Sequence, residues 1–89
     1  YRRLAALNCM DRGLGLEIKG QLEQAITEYS NAIKFKSDLA EAFFYRGRVY
    51  AKKSMAQFAA NDLNKVLELS KDLPLRQQAE EELRRLGPK

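Results

Sequence analysis

Few side chains in this sequence could do chemistry, and their spacing excludes most reactions. One cysteine, Cys9, and no histidine occur in 89 residues, which rules out zinc sites and Cys-His or Ser-His catalysis within them. The lone thiol can make no internal disulfide, leaves the redox compartment open and is expected to sit in the core as a small hydrophobe. Glu80, Glu81 and Glu82 are consecutive, so on a helix they splay around the axis instead of converging for general acid and base work. Gly13-Leu14-Gly15 begins like a phosphate-binding loop, but the next glycine is Gly20; the dinucleotide spacing fails and no strand precedes it. No enzymatic activity, metal or cofactor is expected.

Binding chemistry remains. Between Ala42 and Asn61 the charged residues are Arg46, Arg48, Lys52 and Lys53, with no acid among them. Tyr45 and Tyr50 lie nearby for stacking, so this basic segment could contact the phosphates of RNA. On a helix, however, Arg48 and Lys52 share one face while Arg46 and Lys53 share another, and the patch splits. A solvated face with some preference for an acidic peptide is the stronger reading. The net charge of +4 and the sequence pI of about 9.4 do not change this, because the 16 basic and 12 acidic residues are otherwise intermixed.

The elements that carry these residues are helices. Hydrophobic residues make up 45% of the chain, only two prolines and five glycines interrupt it, and Ala, Leu, Glu, Lys, Arg and Gln dominate, a helix-forming mixture that can bury a core. No stretch approaches the roughly 18 consecutive apolar residues of a membrane span, and the start lacks a signal-peptide pattern. The protein is expected to be soluble and cytoplasmic, although a start at Tyr1 suggests a piece cut from a longer chain.

The chain also copies itself at a spacing of 34 residues: Arg12-Gly13 recurs as Arg46-Gly47, Ala25 as Ala59, Lys19 as Lys53 and Asp38-Leu39 as Asp72-Leu73. Apolar and small positions keep register while those between them drift, as expected when one supersecondary unit stacks on its copy. Leu22, Ala25, Ile26, Tyr29, Ala32 and Ile33 form one helical stripe, and Ala59, Leu63, Val66 and Leu67 repeat it. Gly20 can take the left-handed conformation that ends a helix. Asp38 with Glu41 suggests a capping box, and Asp72 before Pro74 a capped helix start. The spacing predicts five helices, near 4 to 19, 22 to 36, 39 to 53, 56 to 70 and 73 to 86. Short connections make them two antiparallel hairpins followed by a single helix.

These residues resemble the tetratricopeptide repeat (TPR), whose pattern at this period is a large aromatic, Leu-Gly, Tyr, Ala, Phe and Pro. Phe43, Gly47, Tyr50, Ala59 and Leu63 fill those slots in the second copy, and Cys9, Gly13, Leu16, Ala25 and Tyr29 in the first. Arg12 and Arg46 depart from the leucine, and Ser37 and Lys71 from the proline. The resemblance implies an all-α segment of a helical solenoid with right-handed superhelical stacking. It comprises one domain over residues 1–89, with repeat one at 6–39, repeat two at 40–73 and a capping helix at 73–86. The capping helix carries Leu75, Ala79, Leu83 and Leu86 on its inner stripe. Two repeats are fewer than such arrays are expected to need, so either this last helix supplies the missing burial or upstream repeats do.

The resemblance also implies a concave surface lined by the first helix of each hairpin. Repeat one places Leu7, Met10, Asp11, Leu14 and Ile18 there. Repeat two places Glu41, Phe44, Tyr45, Arg48 and Lys52 there, and the capping helix adds Leu75, Gln78, Ala79 and Glu82. Phe44, Tyr45 and Arg48 are expected at the centre, with Met10 and Leu14 as apolar walls, around a peptide or partner helix that carries apolar anchors and an acidic residue. The family's clamp for the acidic tails of heat-shock chaperones needs Lys, Asn and Arg where this chain has Met10, Leu14, Tyr45, Leu75 and Ala79, so that function is not expected. The expectation is a protein-interaction module. An architectural segment or a self-association surface is the alternative, with RNA binding weaker.

Overall fold

The computed structural model describes residues 2–87, and among these it contains five helices and no strand. They are α1 (Arg2–Ile18), α2 (Leu22–Phe35), α3 (Ala40–Lys52), α4 (Ala56–Leu69) and α5 (Leu73–Arg85). Every boundary falls within two residues of its expectation.

The turns repeat as the helices do. Gly20 ends α1 at φ +83°, with Gln21 N–H donating to Leu16 O at 2.9 Å and Gly20 N–H to Glu17 O at 3.0 Å, the paired bonds of a Schellman cap. One period later Met55 N–H reaches Tyr50 O at 2.9 Å and Ser54 N–H reaches Ala51 O at 3.0 Å. Ser54 is held at φ +63°, where a side chain is strained and glycine is not. The start of α5 is capped as expected, the Asp72 carboxylate accepting from Leu75 N–H at 3.3 Å with Pro74 in the first turn. The capping box before α3 does not form. Lys36 Nζ takes the Asp38 carboxylate at 2.8 Å, and the N-cap residue is Leu39, without a side-chain cap.

Helix α1 packs along α2 and α3 along α4, and each hairpin then stacks on its neighbour. Along one face α1, α3 and α5 touch in sequence; behind them α2 and α4 do not meet. One core cluster joins Ala6, Cys9, Met10, Ala25, Tyr29 and Ala32 to Leu39, at the cap of α3, and to Ala42 and Val49 of α3 itself. A second joins Ala40, Phe43, Phe44, Leu63 and Val66 to Ala79 of α5. Leu75, Leu83 and Leu86 pack half-buried against it, and Arg76 donates to the Leu67 carbonyl in the last turn of α4 and to that of its C-cap residue, Ser70. The closing helix therefore covers the second hairpin with the stripe expected of it.

Close approach explains the two repeated glycines. A methyl group on Gly13 would stand 2.5 Å from a ring carbon of Tyr29, and one on Gly47 would stand 3.1 Å from Asp62 Cβ and 3.3 Å from the Ala59 carbonyl. Hairpin one thus packs a helix backbone against a buried ring, and hairpin two packs it against the opposite helix.

Candidate partner-binding face

Helical spacing puts Phe44, Arg48 and Lys52 on one side of α3, four residues apart, next to Tyr45. Phe44 lies under Tyr45 edge-to-face, centroids 5.7 Å apart, and Tyr45 stacks on Tyr29 from α2 at 5.8 Å. The Arg48 guanidinium sits 4.9 Å from the Tyr45 centroid, a cation–π contact that orients both side chains. On α1, Leu7 and Leu14 are half-buried against the first core and Asp11 is exposed.

Met10 and Phe44 are only 8% and 5% exposed. They are core side chains that support the face from beneath, and of the expected set Leu7, Asp11, Leu14, Tyr45, Arg48 and Lys52 are half-buried or exposed. Ile18, at the end of α1, is exposed.

A buried acid organises this surface. Glu17, 7% exposed, accepts from Arg48 Nε and Nη2 at 2.9 Å each, from Lys52 Nζ at 2.7 Å and from the Tyr29 hydroxyl at 2.9 Å. Burial by itself would raise the pKa of Glu17, but the bonds from Arg48, Lys52 and Tyr29 outweigh it and hold the carboxyl below its ordinary value. Burial, and then donation to the Glu17 carboxylate, push Tyr29 well above its ordinary value. Burial works against the Arg48 charge, and Glu17 more than restores it. Among the described residues no buried side-chain polar atom lacks a partner.

Sequence reasoning did not single out Glu17. Its cationic partners are 31 and 35 residues away, and the available signal was that Glu17 aligns with Ala51 in the next copy, a change from acid to methyl at a position facing two cations.

The other half of the basic segment points elsewhere. Arg46 grips Asp62 with two bonds of 2.8 Å and also reaches Ser30 Oγ at 3.1 Å, while Lys53 pairs with Glu23 at 2.7 Å. The hydrogen bonds that Arg46 donates to the Asp62 carboxylate are the main reason that the Arg46 pKa is raised. The patch splits as its spacing required, and the fold brings an acid to each of its four cations. An RNA backbone would have to displace Glu17, Glu23 and Asp62.

Arg12 and Arg46, which depart from the repeat pattern, also acquire a reason. Arg12 pairs with Glu28 at 3.3 Å, and Arg46 with Asp62; both pairs are 16 residues apart. An arginine on the first helix and an acid on the second replace an apolar contact in each hairpin. Among the described residues no group of three or more His, Cys, Asp or Glu could hold a metal ion, and no helix is long and apolar enough to cross a membrane.

Residues 18–54 match a family model described as a TPR repeat. The match spans α2, α3 and the turns around them, and it bears out the resemblance carried by the sequence. No curated protein matches the chain. TPR repeats serve in general as protein-protein interaction modules, and the family is generally non-catalytic.

Proposed function

We propose that this chain, which carries a TPR repeat over residues 18–54, binds a peptide or partner helix across the face of α1, α3 and α5. Repeat one is taken as 6–39, repeat two as 40–73 and the closing helix as 73–86. The reading is carried by one observation: on this face half-buried Leu7, Leu14 and Tyr45 lie beside Arg48 and Lys52, whose positions are locked by Glu17. Rigid aromatic and apolar anchors bordered by fixed charges are what a peptide groove requires.

The burial of Glu17 changes how the groove must be tested. Arg48→Glu would set a second carboxylate against Glu17 and unsettle the fold, so loss of binding in that variant would not identify a contact. Tyr45→Ala and Leu7→Ser alter the face with less disturbance. Both should weaken capture of a partner at least about tenfold, a loss of about 1.4 kcal/mol, while Asn61→Lys on the exposed side of α4 should leave it unchanged. Circular dichroism of each variant checks the fold. Equal capture by all three would end the groove assignment. A self-association surface would show itself as mass increasing with concentration in sedimentation, and that increase should vanish in Tyr45→Ala.

A further inference from the structure

The two junctions between neighbouring first helices are built differently. Between α1 and α3, Glu17 fills the junction and ties down Arg48 and Lys52. Between α3 and α5, the residues 34 positions on from Glu17, Arg48 and Lys52 are Ala51, Glu82 and Leu86. The acid has become a methyl group, and a hollow of about 400 Å³ opens there, lined by Arg48, Ala51, Lys52, Glu82, Arg85 and Leu86.

The walls of the hollow are unevenly charged. Three cations line it with one acid, Glu82, which accepts from Arg85 at 3.2 Å. Glu17, reaching Arg48 and Lys52 from the α1 side, is the second acid of the group, so one positive charge stays unmatched. Donors are also left over. Lys52 spends one of its three ammonium protons on Glu17, and Arg48 uses Nε and Nη2 there, leaving Nη1. Ala51 and Leu86 supply an apolar floor for a methylene stem.

We infer that this hollow receives the carboxylate side chain of an acidic residue in the bound peptide, held by the protons that Arg48 and Lys52 do not spend on Glu17 and by Arg85 from α5. The inference rests on the peptide-binding reading of this face and adds the chemistry of one subsite. The molecule itself demonstrates the mode of holding: a carboxylate between neighbouring first helices, taken by Arg48 and Lys52 in charge-assisted bonds.

Two capped amino acids test it, N-acetylglutamate amide and its glutamine counterpart, titrated while backbone amide signals of residues 48–52 and 82–86 are followed by NMR. The glutamate probe should give saturable shifts in both segments, with the glutamine probe roughly tenfold weaker or more, as expected when a charge-assisted bond is lost. Ala51→Leu, which fills the hollow, and Arg85→Gln, at a side chain that is 68% exposed, should each reduce binding of the glutamate probe. Equal response to the two probes, or full binding by Ala51→Leu, overturns the subsite. A protein partner lost in Tyr45→Ala but held unchanged by Ala51→Leu would leave the interaction face standing and refute the acid subsite alone.

Discussion

Arg12 with Glu28 and Arg46 with Asp62 are one ion pair made twice, yet the two behave as different objects. The Arg12 side chain is 59% exposed and that of Arg46 is 21% exposed. Arg46 is covered because α2 of the preceding hairpin leans over it and offers Ser30, while the rings of Phe43 and Tyr50 flank it at 5.6 and 5.8 Å. Over Arg12 no such cover exists among the described residues. The helix faces agree with this: α3 turns buried Ala42 and Val49 toward its neighbour, and α1 carries exposed Asn8 and Gly15 at the same two positions. Stacking converts a surface pair into a structural one without changing its chemistry.

The comparison breaks most plainly if the arginines are removed. Arg46→Met leaves the nearly buried Asp62 carboxylate uncompensated and should cost about 3 kcal/mol of stability, against less than about 1 kcal/mol for Arg12→Met at an exposed pair. Urea denaturation of both variants decides it, and equal losses would mean that neighbour cover is irrelevant. The glycines extend the contrast. Gly13→Ala forces a buried ring to move and should cost about 2 kcal/mol, with Gly47→Ala nearer about 1 kcal/mol; the reverse order would show that hairpin two is the tighter of the pair.

Acid gives the smallest effect and isolates the bond between the repeats. The folded pKa of Glu17 is lowered, so its contribution is present above the ordinary carboxyl value of 4.5 and is lost as pH falls through the lowered one. Glu17→Gln should therefore lose stability less steeply than the parent between about pH 5 and pH 3, measured by urea titration at each pH. An identical slope would mean that the carboxylate is not held by its three partners.

Helix limits, turn positions and the core stripe were legible because they depend on neighbours within four residues: Gly20 ended α1, and Pro74 lay in the first turn of α5. The missing capping box shows where local rules fail, since Lys36, two residues away, competed for the same carboxylate. The face was legible as a set of positions but not as a set of exposures. Met10 and Phe44 carry the right spacing and are buried, because a helical face read from sequence does not reveal which of its edges a neighbouring helix covers. Arg48 and Lys52 looked unopposed for the same reason; their acid lies in another repeat.

Cys9, 3% exposed, is the chain's one thiol, with its sulfur against Arg12. A sulfur sealed between α1 and the rest of its hairpin can be alkylated only when that hairpin opens. Its labelling rate is therefore a built-in clock for local opening around α1.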